Sequence, residues 1–339
     1  MKEILSLIKS AKSLVIIPSY RLDGDCMGSA LGLKAILEAQ NKKITVVYSC
    51  STAGRFSFLP GAGQVVFKDL FEVDFSPFDL AIFLDGPDLN QFYDFDKHRG
   101  QELKLPASLK TVCIDHHESE KPFAKANFLD PKASSASELI CRLFGPKYSK
   151  EAALCLFVGI STDTGHFKYD NTKSATLKCV ADLVETGLQV AQIYDRLYNT
   201  KNYKAIKFAG ILVSRIKINT EYKYAYYCFD RNEALKDGLT IDEADEASHA
   251  ARDQNMMSID GIIFAFVLKD EGGGAIKGSL RVRERGVLDM VKLARILSPE
   301  KGGGHQSSAG FSLFGKTLSE AEKYVQKMIE KNYNEIKIT

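Results

Sequence analysis

The stretch that most limits what this chain can fold into is Leu14-Val-Ile-Ile-Pro18, followed by Ser19-Tyr-Arg-Leu-Asp23-Gly24-Asp25-Cys26-Met27-Gly28-Ser29 and then Ala30-Leu-Gly-Leu-Lys-Ala-Ile-Leu. An apolar run, a polar turn and an amphipathic run predict a buried strand, a turn and a helix. A strand that is apolar at every position needs cover on both faces, as parallel sheets between helices have. The pattern recurs, with strands predicted over residues 44–48, 80–84 and 111–114. Helices are predicted over 29–39, 134–144, 151–160, 174–185 and 191–197. The expected fold class is therefore α/β: a mostly parallel sheet covered by helices, joined by a helical linker to a smaller α+β domain.

A chain of 339 residues is long for one core. From about residue 215 the texture changes, with strands predicted over 222–229, 259–268 and 276–282. Helices over 241–251, 289–296 and 318–331 surround them. The expected division is a first domain over 1–200, a helical linker over 201–215 and a second domain over 216–339. The net charge of +2 argues against a basic surface that coats long nucleic acid. Seven cysteines at scattered spacings, with no Cys-x-x-Cys pair, argue against a disulfide framework or structural zinc. No apolar run approaches the ~18 residues of a membrane span, and Met1–Lys9 alternates charged and apolar residues without a cleavage site. A cytoplasmic protein with reduced thiols and no membrane partner is expected.

Acidic clusters end several of the apolar elements. Asp23 and Asp25 follow the first strand, Asp85-Gly-Pro-Asp88 follows residues 80–84, and Asp115-His116-His117-Glu118 follows residues 111–114. Ser161-Thr-Asp163-Thr-Gly165-His166-Phe167 follows the helix over 151–160. Taken singly, each is an ordinary capped turn. Gathered on one rim of a parallel sheet at ~4–5 Å, the carboxylates would repel by a few kcal/mol per pair at an effective dielectric near 20. Such a cluster calls for protons or cations. Carboxylates with imidazoles suit Mn²⁺ or Mg²⁺, and two such ions sharing a carboxylate are an apparatus for phosphate-ester hydrolysis.

Asp23-Gly-Asp25, Asp85, Asp115-His116-His117 and Asp163-Thr-Gly165 stand in the order of the four motifs of DHH-family phosphoesterases, which the chain resembles. Gly302-Gly303-Gly304-His305 followed by Ala309-Gly310-Phe311 is similar to the companion domain of that family, and Leu129-Asp130-Pro131 through Ala133-Ser-Ser-Ala-Ser-Glu138 also matches. The length and domain pairing resemble the nanoRNase/pAp-phosphatase branch and its short dinucleotide phosphodiesterase relatives. The resemblance implies that Asp23 holds a first metal, that Asp25, His116 and Asp163 hold a second, and that Asp85 bridges both. It implies that His117 faces the substrate phosphate, with Asp115 fixing the tautomer of the histidines. Arg281 would grip phosphate, with Arg283 a nearby competitor, and Gly303, Gly304 and His305 would meet the substrate on a glycine loop.

One departure stands out. The family usually places a metal histidine four residues before the first Asp, and here that residue is Ser19. A first site weakened by Ser19, more Mg²⁺-like and filled with substrate, is the expectation. Cys26 is expected as a small buried side chain. His166, His98 and His249 are expected in outer or packing roles, and Tyr203, Phe167 and Tyr169 as packing more than base-stacking groups. The implied activity is hydrolysis of very short nucleotides, either linear dinucleotides such as pApA or pGpG, short oligoribonucleotides, or pAp. Long nucleic acid is not an expected partner, and a homodimer is. Two alternatives stand beside it: a pyrophosphatase or exopolyphosphatase, and a nucleotide-binding protein impaired in catalysis by Ser19.

Overall fold

Five of the six residues of the first strand are fully buried, which is what an apolar run with no polar face requires. The computed structural model describes residues 1–338 apart from Arg21, Ser51, 119–121, 200–201 and Arg285, and apart from the side chains of Asn199 and His305. Two units divide the chain, Met1–Asn199 and Thr200–Thr339.

The first unit runs α1 (Lys2–Ser10), β1 (Ser13–Pro18), α2 (Gly24–Glu38), β2 (Lys43–Tyr48), β3 (Val66–Phe67), β4 (Leu80–Leu84), β5 (Lys110–Asp115), β6 (Ala126–Leu129), α3 (Ala136–Phe144), α4 (Lys150–Asp163), α5 (Ser174–Glu185) and α6 (Val190–Tyr194). Its six strands are all parallel, in the order β3-β2-β1-β4-β5-β6. The strand order reverses between β1 and β4, and ligands of open α/β sheets bind outside the carboxyl ends at such a point. Leu14, Ile16, Leu80, Ile82, Val112 and Ile114 pack with the helices on one face. On the other face Val15, Ile17, Ala81 and Phe83 meet Leu70, Phe75, Phe92 and Tyr93, carried by short turns and irregular segments. Burying each such side chain is worth about 1.5–3 kcal/mol, so this sheet is the stable base of the site.

Helix α2 begins at Gly24, five residues before the predicted start at Ser29. Gly24, Gly28 and Gly32 look like turn residues, but their four-residue spacing puts them on one helical face. That face lies against α4. A Cβ on Gly28 would stand 2.4 Å from the Cys155 carbonyl oxygen and 2.8 Å from the Gly159 nitrogen. A Cβ on Gly159 would in turn meet Asp25 Oδ1 at 2.7 Å. The glycines therefore serve helix-to-helix approach, and Asp25 stands in the first turn of a buried helix, not on a loop.

The second unit runs α7 (Tyr203–Ser214), β7 (Lys217–Asn219), β8 (Tyr224–Asp230), α8 (Arg231–Lys236), α9 (Ile241–Ala250), β9 (Phe264–Asp270), β10 (Ala275–Val282), α10 (Met290–Leu297), β11 (Gly303–His305), β12 (Ser308–Phe314) and α11 (Leu318–Asn332). Its mixed sheet has the order β11-β12-β10-β9-β8-β7, with β8 and β9 the parallel pair. The segment expected as a linker forms α7, and its Ala205, Phe208 and Leu212 pack with Ala225, Tyr227 and Phe229 of β8. β9 starts later than the predicted strand at 259, because Gly261 at φ 75° turns the chain first. The glycine stretch expected as a loop is partly strand: Gly303–His305 pairs with Ser308–Gly310. Among the described residues no helix is long and apolar enough to cross a membrane.

Candidate metal centre

Three strand ends and one helix end deliver the acidic residues of the first unit. Asp23, after β1, is the N-cap of α2, and its Oδ1 accepts the Cys26 amide at 2.8 Å. Asp85 follows β4 in the left-handed region at φ 63°, a conformation that costs a non-glycine residue about 1–2 kcal/mol. Its amide is tied to the Ile114 carbonyl of β5 at 3.1 Å, which helps to hold that conformation. Asp115 ends β5, fully buried, and His116 and His117 come next. Asp163 is the last residue of α4. A carboxylate there faces the negative end of the helix dipole, so its placement needs positive charge nearby. Beyond it Gly165, His166 and Phe167 are all left-handed, a turn held by the Phe167 amide on Thr164 Oγ1 at 3.0 Å and the His166 amide on the Ser161 carbonyl at 2.7 Å.

Asp85, Asp115, His116 and His117 offer ligand atoms that all lie within 4.8 Å of one another, as do Asp23, Cys26 and Asp85. Asp85 belongs to both groups. Its Oδ2 accepts the Cys26 thiol at 3.0 Å. Its Oδ1 lies 3.2 Å from His116 Nε2 and 3.7 Å from His117 Nδ1, yet this buried oxygen has no hydrogen bond of acceptable geometry. A buried carboxylate oxygen with no hydrogen bond of its own, close to the Asp163 carboxylate across His116, is a place where positive charge is wanted and a cation can bind. His116 Nε2 is also 3.5 Å from Asp163 Oδ2. His117 Nδ1 is 2.8 Å from Asp115 Oδ1, and the His117 amide donates to Asp115 Oδ2 at 3.2 Å. With its proton on Nδ1, the neutral ring carries its lone pair on Nε2.

Burial and mutual repulsion of the carboxylates make the same demand for positive charge. Desolvation, then the Asp85 charge, raises the Asp23 carboxyl to about 6. Desolvation raises Asp163 to about 7, with Asp85 and Asp23 adding to the rise. Burial alone would raise Asp85 too, but the close approach and charge of His116 hold it at about 2. Burial opposes the charge on His116, and Asp85, Asp163 and Asp25 overcome it and raise the imidazole to about 10. His117 is raised against its own burial, chiefly by its bond to Asp115. Desolvation, then Asp23 and Asp85, pushes the Cys26 thiol well up.

Asp25 lies in a different setting from the other carboxylates. Its Oδ2 accepts the Ala136 amide at 2.6 Å and its Oδ1 the Ser137 amide at 3.0 Å, so it clamps the N-terminus of α3. Desolvation, then Asp85 and Asp163, still raises it well above the usual range. The amides and Gly159 were not expected as parts of the site, and Cys26 was expected beside it only as a small buried side chain. The spacing of Gly24, Gly28 and Gly32 was the signal for Gly159 on α4, and no local pattern marked the α3 amides.

The remaining histidines have local partners. His98 bonds Asp69 at 2.7 Å and stacks on Phe71 with ring centroids 3.9 Å apart. His166 bonds Ser161 Oγ at 3.1 Å and lies against Tyr194. His249 in α9 is lowered to about 4 by desolvation and by Arg252. Phe167 packs against Phe157, whereas Tyr169 and Tyr203 are exposed.

In the second unit Arg281 on β10 pairs with Ser308 of β12, which pairs with His305 of β11, so the three backbones form one row. Arg281 Nη1 donates to the Leu280 carbonyl at 2.9 Å, and its charge reaches His249 and Asp253. Arg283 is exposed and donates to the Ile259 carbonyl at 3.3 Å. Gly304 has φ 134°, and a Cβ there would meet the Ser308 carbonyl oxygen at 2.6 Å, so hairpin closure itself requires glycine.

Residues 13–160 match the N-terminal domain of the DHH family and residues 221–331 match the DHHA1 domain. The chain is 27% identical over 319 residues to the bifunctional oligoribonuclease and PAP phosphatase NrnA of Bacillus subtilis, covering 92% of this chain and 93% of that one. It is 24% identical over 337 residues to the protein of the same name from Thermus thermophilus, covering 96% and 92%. Among solved structures, an exopolyphosphatase-related protein from Bacteroides fragilis superposes with a TM-score of 0.85 at 25% identity, covering 98% of this chain and 96% of that one.

Proposed function

We propose that this chain, a DHH-family protein with a DHHA1 domain behind its first domain, is a divalent-metal-dependent phosphodiesterase that hydrolyses very short nucleotides to mononucleotides. The substrates are linear dinucleotides such as pApA or pGpG, short oligoribonucleotides, and pAp. The relatives that align over more than nine-tenths of both chains carry oligoribonuclease and PAP phosphatase in their names. The observation that carries the reading is the buried, unbonded Oδ1 of Asp85 between two imidazoles, on a carboxylate common to both ligand groups.

Asp23 and Asp85 would hold one ion, and Asp85, His116, Asp163 and the outer lone pairs of Asp25 a second. Mn²⁺ suits the nitrogen-bearing group and Mg²⁺ is the substitute. Bound divalent ions supply Lewis-acid charge at the phosphate and a more acidic attacking water. The protein's own groups do the rest. Asp115 accepts the Nδ1 proton of His117 and favours the protonated ring, whose Nε2 proton can be shared with a phosphoryl oxygen as charge builds. Arg281 supplies a forked guanidinium for the substrate phosphate. A net charge of +2 gives no general affinity for long nucleic acid. Seven free thiols fit a reducing compartment, which supports a cytoplasmic location.

The test is hydrolysis of pApA, pGpG and pAp with Mn²⁺ or Mg²⁺, beside inorganic pyrophosphate and polyphosphate. Mononucleotide release that stops with chelator and in Asp85→Ala is expected. Release that survives both removes the mechanism, and phosphate from polyphosphate alone replaces the substrate class.

A further inference from the structure

Ser19 stands where the resemblance calls for an imidazole, and it does not replace one. Its hydroxyl donates to the Gln91 carbonyl at 3.2 Å and its amide to the Leu84 carbonyl at 3.0 Å, and the neutral hydroxyl oxygen that is left is a poorer ligand than imidazole. The α2 side of Asp85 nevertheless holds three donor groups. The third is sulfur. Cys26 is 1% exposed, its Sγ stands 3.0 Å from Asp85 Oδ2, and the ligand atoms of Asp23, Cys26 and Asp85 lie within 4.8 Å of one another. The Asp23 carboxylate is turned toward the same point by the Cys26 amide. A single S–H proton can serve one carboxylate at a time, so the thiol cannot neutralise both. Asp85 is itself 6% exposed, and its other oxygen, Oδ1, is buried without a hydrogen bond on the His116 side, so the carboxylate that the thiol faces is not saturated by hydrogen bonds.

We infer that Cys26 is a metal ligand, completing an Asp23–Cys26–Asp85 site in which sulfur stands in for the nitrogen lost at position 19. This rests on the metal-dependent reading of the centre given above. On binding, the S–H bond breaks, its proton leaves to solvent, and the sulfur lone pair bonds the cation; no oxidant or reductant is involved. A thiolate beside two carboxylates prefers borderline-soft ions such as Zn²⁺, Co²⁺ or Fe²⁺ to Mg²⁺. The first site is therefore not the weak, Mg²⁺-like one that Ser19 alone would leave.

The experiment is anaerobic titration of the metal-free full chain with Co²⁺, following the near-ultraviolet thiolate-to-cobalt charge-transfer band together with pApA hydrolysis. The band is expected to saturate at one ion per chain, to persist in Ser19→Ala, and to vanish in Cys26→Ala and in the nearly isosteric Cys26→Ser. Loss of the sulfur should weaken Co²⁺ at that site by about 10-fold or more. Ser19→His combined with Cys26→Ala should restore affinity without the band. Cobalt bound with no sulfur band, a band that survives Cys26→Ala, or no cobalt bound at all overturns the inference. A band, with no hydrolysis when Mn²⁺ or Mg²⁺ replaces Co²⁺, defeats the proposed function and leaves the ligand standing, and hydrolysis with those ions but no cobalt–sulfur band does the reverse.

Discussion

The two sides of Asp85 are built by different means. Toward β5 the donors are imidazoles, and hydrogen bonds aim them: Asp115 holds His117 by its Nδ1 and by its amide. Toward α2 the donors are a carboxylate and a thiol at the start of a buried helix, and close packing on α4 places them, through Gly24, Gly28 and Gly32. One side is aimed by polar partners that can be removed singly. The other depends on how near two backbones come, so it should fail through packing and not through charge.

Removing the shared carboxylate should break both sides at once. Asp85→Ala is expected to lower pApA turnover on the order of 10³-fold, the scale of losing one group that stabilises the transition state. Calorimetric titration with Mn²⁺ should lose both sites, and a variant that keeps either at full affinity would show that Asp85 is not common to them. Asp115→Asn should act on the β5 side alone, lowering metal affinity or turnover by about 10–100-fold, as outer partners of metal histidines do. Unchanged turnover there would mean that His117 needs no orienting group. Gly28→Ala should act on the α2 side through the fold. Its methyl group would meet backbone at 2.4 Å, and overpacking of this kind costs about 2 kcal/mol, read as a lower urea midpoint for the first unit. A midpoint equal to wild type would contradict the close approach of α2 and α4.

The smallest effect belongs to a second carboxylate–imidazole pair, Asp69 with His98, which serves as a control for Asp115 with His117. Partial burial would raise the Asp69 carboxyl, but Lys97 and His98 outweigh it and bring it from 3.8 to about 2. A lowered carboxyl stabilises the fold above its unfolded value and loses that contribution as pH falls through the folded one. Asp69→Asn should therefore cost about 1 kcal/mol near neutral pH, after allowance for solvent screening. It should also flatten the acid limb of the stability curve between pH 4 and 2, with turnover unchanged. A drop in turnover would mean that the pair is not purely structural.

Much of this was legible in the chain. β1, β4 and β5 follow from apolar runs, and the acidic clusters stand where those runs stop, because burial is written locally as periodicity. Short edge strands were not legible: β3 has two residues and β6 four, too few to carry a pattern. The start of α2 was hidden by glycines, whose local preference for turns is outweighed by a tertiary contact that needs their missing side chains.

The sequence by itself determined which chemistry is present: carboxylates and imidazoles in a fixed order, a serine at position 19, and a thiol one residue past the second acid. Tertiary structure decided what each group faces. Asp25 turns to amides 111 and 112 residues away, and Cys26 meets a carboxylate 59 residues away. Residue type and spacing constrain the backbone only over a turn or two, whereas the direction of a carboxylate or a thiol is set by whichever distant donor or acceptor folding brings beside it.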